Sequence, residues 1–92
     1  MTYQVKTEAV IDGENIIAYW EEDSAGYPGD PAEGVILVEV ELETANDWVP
    51  LNKHSIPALK ARFHDFEKKL YGSRFEDEAI EDLHDLYQQE LF

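Results

Sequence analysis

The nine residues VILVEVELE, Val35 to Glu43, constrain this chain more than any other stretch. Apolar and acidic side chains alternate through most of it, and a period of two marks a strand with one dry face and one wet face. On this reading Ile36, Val38, Val40 and Leu42 face one way, while Leu37, Glu39, Glu41 and Glu43 face the other. A one-sided strand belongs in an antiparallel sheet whose apolar face needs a cover. The remaining residues therefore have to supply both strand neighbours and a second layer.

The neighbours precede it. YQVKTEAVI, residues 3–11, sets Tyr3, Val5, Ala9 and Ile11 on one face, and NIIAYWEE, residues 15–22, is rich in β-branched and aromatic residues. Asp12-Gly13 between them favours a tight hairpin, because glycine accepts positive φ at no steric cost. DSAGYPGDPAEG, Asp23 to Gly34, holds three glycines and two prolines and reads as a loop. TANDWVPL, Thr44 to Leu51, reads as a connection with room for a short edge strand through Trp48 and Val49.

The cover follows. Ser55 is the expected N-cap of a helix with Pro57 in its first turn. Ile56, Leu59, Phe63, Phe66 and Leu70 then recur at helical spacing as one buried stripe, and Gly72 is the expected residue past its end. Ser73 and Glu76 form an S-x-x-E capping box for a second helix, whose apolar face is Phe75, Ala79, Ile80, Leu83, Tyr87 and Leu91. The expectation is an α+β fold in a single domain, residues 1–92: a three-stranded antiparallel β-meander followed by two α-helices packed on one face.

Hydrophobic residues make up 43% of the 92, enough for a modest core. With no cysteine, nothing here calls for an oxidising compartment or a thiolate-bound metal. The N-terminal MTYQVKTEAV lacks a basic head followed by an apolar run, and no apolar stretch approaches the roughly 20 residues that span a bilayer. These features lead us to expect a cytoplasmic protein with no membrane partner.

Charge is the outlier. Twenty-one acids against seven bases give a net of −14. Residues 1–50 hold twelve acids and only Lys6 as a base, residues 51–74 hold six bases and two acids, and residues 75–92 hold seven acids and no base. A field of this sign repels nucleic acid directly and attracts basic surfaces.

Catalytic signatures are sparse, so we expect no enzyme. Two of the three serines, Ser55 and Ser73, have capping roles, and Ser24 sits in a loop with no histidine nearby in sequence. Glu81-x-x-His84 has the spacing used in carboxylate-bridged metal bundles, but such sites need two copies on four helices. The acidic loop of Glu21, Glu22, Asp23, Asp30 and Glu33 lacks the rhythm of a calcium loop. His54 and His64 read as surface residues with no partner one turn away. Lys53, Lys60, Arg62, Lys68, Lys69 and Arg74 read as cations that offset the acidic remainder, with Lys68, Lys69 and Arg74 near a helix C-terminus. No metal or cofactor is expected.

The acids themselves are ordered. Glu78, Glu81, Asp82 and Asp85 recur at i, i+3, i+4 and i+7, one face of the second helix, with Asp77 beside them. Glu39, Glu41 and Glu43 recur along one face of the strand, roughly 6.6 Å apart. Carboxylates held in rows on rigid elements imitate a phosphate backbone. In size, charge, small sheet followed by helices, and these two rows, the chain resembles the small, cysteine-free acidic inhibitors that phages make against host defence, anti-CRISPR proteins and anti-restriction DNA mimics among them. The resemblance implies stoichiometric binding, in the host cytoplasm, to a protein with a basic nucleic-acid-binding surface. The partner-binding residues would be Glu39, Glu41, Glu43, Asp77, Glu78, Glu81, Asp82 and Asp85, with Tyr27 and Trp48 as aromatic anchors. Two rivals use the same composition: an immunity protein or antitoxin that neutralises a basic toxin, and a structural or assembly domain whose acidity serves solubility.

Overall fold

Asp12 and Gly13 both take positive φ, 51° and 80°, in the computed structural model, which describes residues 3–22 and 34–90 apart from the side chains of Tyr87 and Glu90. Two successive positive φ values define the type I′ turn, whose twist matches that of the strands it joins. Those strands are β1 (Gln4–Ile11) and β2 (Glu14–Glu22), paired from Ile11↔Glu14 to Gln4↔Glu21. They continue through β3 (Val35–Glu43) and β4 (Trp48–Leu51) in an antiparallel sheet of order β1-β2-β3-β4. The helices α1 (Pro57–Leu70) and α2 (Arg74–Glu90) cover one face of it.

The fold is α+β as expected, with four strands rather than three. The extra strand is WVPL: Trp48 pairs with Glu43 and Leu51 with Val40, and Leu51 is fully buried. Thr44 and Asp47 close the connection, the Thr44 N–H reaching the Asp47 carbonyl at 2.8 Å and the Thr44 hydroxyl donating to the same oxygen at 2.7 Å.

The helix-facing side of the sheet is built by alternation. Val5, Thr7 and Ala9 of β1 are buried with Ile16, Ala18 and Trp20 of β2. Thr7 is polar, and its hydroxyl accepts a 3.0 Å hydrogen bond from the Trp20 indole N–H, so neither group is buried unpaired. Trp20 meets Tyr71 edge to face at 5.6 Å, and the Tyr71 hydroxyl accepts from the Leu37 N–H at 2.7 Å.

β3 departs from simple alternation. Tyr19 stands opposite Glu39, but Trp20 stands opposite Leu37, so Val38 is an extra residue in a β-bulge. One extra residue reverses which side chains face the core. Val35 and Leu37 are buried before the bulge, Ile36 is 45% exposed, and Val38 is half-buried. After the bulge Val40 is buried and Leu42 packs against the core, with Glu39, Glu41 and Glu43 on the outer side. The expected core places of Ile36 and Val38, and the outer place of Leu37, are thereby corrected.

The helix caps also differ in detail. Ile56, not Ser55, is the N-cap of α1, and no side chain caps it. The Ser55 hydroxyl instead accepts from the Asn52 N–H at 3.0 Å, and its own N–H bonds the Asn52 carbonyl. Ile56 is 66% exposed, so the buried stripe is Phe63, Phe66 and Leu70 with Leu59 at its margin. Gly72 follows the helix with φ 80°, as its place past the C-cap requires. Ser73 does cap α2, its hydroxyl accepting from the Phe75 N–H at 3.2 Å. The Ser73 N–H goes to the Leu70 carbonyl, so the reciprocal bond from Glu76 has no donor left to satisfy. Ala79 and Leu83 are buried, and Phe75, Ile80 and Leu86 pack beside them. The Tyr87 side chain and Leu91 fall outside the described residues. Among the described residues, no helix is long and apolar enough to cross a membrane.

Candidate interaction surfaces

Ala79 and Leu83 fix the rotation of α2 by facing the sheet, which forces the acidic positions between them outward. Asp77, Glu78, Glu81, Asp82 and Asp85 are all exposed. Among the described residues none of the five makes an ion pair or a side-chain hydrogen bond. Glu78 to Asp85 spans about 10 Å of helix axis. Asp77 lies in the first turn with Glu76 and gains from the positive end of the helix dipole, but Glu78, Glu81, Asp82 and Asp85 lie beyond the turn where that gain is felt.

The row on β3 has a different setting. Glu39 and Glu41 are half-buried and engaged within the fold. Glu41 accepts the Tyr19 hydroxyl, and Glu39 lies 3.4 Å from the Asn52 amide nitrogen. The bond to Glu41, with burial and the nearby charges of Glu41 and Glu39, pushes the Tyr19 phenol above its usual range. Glu43 is exposed and stands across from Trp48, itself 36% exposed. A cleft of about 470 Å³ opens there, lined by Glu8, Asn15, Ile17, Glu43, Trp48 and Arg74 among others.

These two rows do not form one surface. Glu39, Glu41 and Glu43 lie on the face of the sheet away from the helices, while the α2 acids point away from the sheet, although the first turn of α2 reaches the Glu43 and Trp48 cleft through Arg74 and Phe75. Trp48 belongs with the β3 row, and Tyr27 lies outside the described residues. Tyr19, which the sequence analysis did not single out, joins the β3 side through Glu41. Its outward place follows from the period of β2, in which Ile16, Ala18 and Trp20 face inward.

Two cations of the basic segment pair with acids of the hairpin. Arg62 reaches Glu14 at 2.5 Å, and Lys69 pairs with Asp12, so α1 is tied to the turn of the β1–β2 hairpin. These bonds raise the pKa of both cations. Lys68 and Lys69 occupy the last turn of α1, whereas Arg74 is the first residue of α2, not near a C-terminus, and lies over the Phe75 ring at 4.9 Å. His64 does have a partner one turn on: its Nδ1 lies 2.5 Å from Glu67. Glu81 and His84 are both exposed, and among the described residues no three metal-ligating side chains converge.

No protein-family model, no curated protein and no solved structure matches this chain.

Proposed function

We propose that this chain is a small non-enzymatic inhibitor of the anti-CRISPR or anti-restriction kind. It docks the acidic face of α2 on the basic nucleic-acid-binding surface of a defence protein and so keeps nucleic acid out. The observation that carries this reading is the setting of Glu81, Asp82 and Asp85: exposed, unpaired within the described fold, past the reach of the helix dipole, and adjacent to like charges. Each such i,i+4 pair costs about 0.2–0.5 kcal/mol, so stability alone favours lysines at some of these positions.

Charge density supports the same reading. Glu78, Glu81, Asp82 and Asp85 fall within about 10 Å of helix axis, about one charge per 3 Å. A single strand of DNA carries one per about 3.4 Å and the duplex one per about 1.7 Å. The exposed row of α2 thus approaches the linear charge of one nucleic-acid strand. Because the β3 row lies on the opposite side, a flat basic groove engages one row at a time, and we assign the contact to α2. Glu43 and Trp48 would touch only a partner that wraps around the molecule.

The experiment is a capture assay from a bacterial lysate with the immobilised chain, eluted either with duplex DNA or with salt. Proteins released by both, as counterion-linked binding requires, support the reading. Capture insensitive to salt and to DNA refutes it.

A further inference from the structure

One long strand edge has no strand paired to it among the described residues. β1 pairs only with β2, while the opposite edge of the sheet is the four-residue β4, blunted by Pro50. A two-residue hairpin makes its flanking pair, Ile11 and Glu14, exchange both backbone hydrogen bonds, and the pattern alternates from there. The odd-numbered residues of β1 therefore direct their N–H and C=O groups to β2. The Glu22 N–H bond to the Tyr3 carbonyl continues that parity. Gln4, Lys6, Glu8 and Val10 direct theirs off the edge of the sheet.

We propose that this edge pairs with the same edge of a second copy, antiparallel about a two-fold axis at Thr7. Lys6 of each copy then lies opposite Glu8 of the other. The proposal is independent of the inhibitor reading.

Charge selects both the occupant and the register. Outward-directed groups can bond only if even-numbered residues face even-numbered residues. Centring the axis on Lys6 opposes two lysines, and centring it on Glu8 opposes two glutamates. Like charges directly opposite destabilise a ladder, while opposite charges support it. Centring it on Thr7 gives two Lys–Glu pairs, sets Gln4 opposite Val10 at each end, and matches all four outward-directed residues of each strand in about eight backbone hydrogen bonds. Lys6 is the sole base among residues 1–50, and it stands two positions before Glu8, the separation this register needs. Val10, 63% exposed in the single chain, gains a cross-strand neighbour.

The pairing extends the sheet to eight strands with both helix layers on one side. Each copy brings a net of −14, so long-range repulsion opposes association. Salt screens it over a Debye length of about 8 Å at 0.15 M. The dimer accordingly tightens as salt rises, opposite to a complex with a basic partner.

Sedimentation equilibrium of the full chain at about 0.05 and 0.5 M salt, at concentrations up to about 1 mM, tests this. A concentration-dependent dimer is expected, tighter at the higher salt. At that salt Lys6→Glu and Glu8→Lys should each weaken it on the order of ten-fold, since each turns two favourable pairs into two unfavourable ones. The combined exchange Lys6→Glu with Glu8→Lys restores the pairing and should recover the wild-type constant. Val10→Pro removes an outward N–H without touching the β2 ladder and should abolish the dimer. Far-ultraviolet circular dichroism and thermal unfolding verify that each variant is folded. A wild-type chain that stays monomeric throughout overturns the proposal and makes Lys6 and Glu8 guards against edge pairing. A dimer indifferent to the single exchanges, or one not recovered by the double exchange, overturns it as well.

Discussion

Replacing Glu81 with glutamine should make this protein more stable. Glu81 is exposed in the middle of α2, with Asp77 and Glu78 one turn before it and Asp85 one turn after. Each of these three like-charge contacts costs about 0.2–0.5 kcal/mol, so neutralising Glu81 should recover about 0.6–1.5 kcal/mol. Glutamine and glutamate have nearly equal helix propensity, and Glu81 lies beyond the first turn, so neither propensity nor the dipole offsets the gain. In a domain of this size that corresponds to a rise in Tm of about 3–10 °C. Thermal unfolding followed by circular dichroism at about 0.01 M salt measures it, and the gain should largely vanish at about 1 M salt, where the Debye length is about 3 Å. An unchanged or lower Tm at low salt would mean instead that Glu81 makes a favourable contact within the fold.

Three further outcomes test the structural account. Thr7→Val leaves the buried indole N–H of Trp20 without its acceptor and should cost about 1–3 kcal/mol in urea unfolding. Gly72→Ala forces a side chain into positive φ between α1 and α2 and should cost roughly 1–2 kcal/mol by the same assay. Tyr19 titrates above its usual value of 10 in the folded protein. Its contribution to stability is therefore complete below the unfolded pKa and lost as pH rises through the folded one. Glu41→Gln should lower the pH at which the Tyr19 phenolate appears, read as the difference in absorbance titration between each protein and its Tyr19→Phe counterpart.

How far the sequence leads depends on what each stretch encodes locally. Asp12-Gly13 carries its own conformational requirement, and the tight hairpin it predicts forms there, with Ile11 opposite Glu14. EVELE alternates strictly, and its acids lie outside. VILV, by contrast, is four apolar residues in a row, which are compatible with either parity, and that is where the bulge sits. WVPL is short and holds a proline, so it gave only a hint of the edge strand that Leu51 anchors in the core. Ser55 has cap chemistry, but the turn with Asn52 competes for its hydroxyl and wins. Both acidic rows were legible as rows. Their opposition follows from the same patterns, because each row lies opposite the apolar face by which its element packs into the shared core.

The central claim is that the carboxylates of α2 serve a partner rather than the fold. The most direct measurement compares three immobilised proteins in the lysate capture assay at about 0.05 M salt: the wild type, a variant with Glu78, Glu81, Asp82 and Asp85 all changed to lysine, and a control combining Glu43→Lys with Trp48→Ala on the opposite side. The wild type and the control should retain the same DNA-displaceable, nucleic-acid-binding protein, while the lysine variant folds and retains none of it. Equal capture by the lysine variant, or loss confined to the Glu43 and Trp48 control, would contradict it.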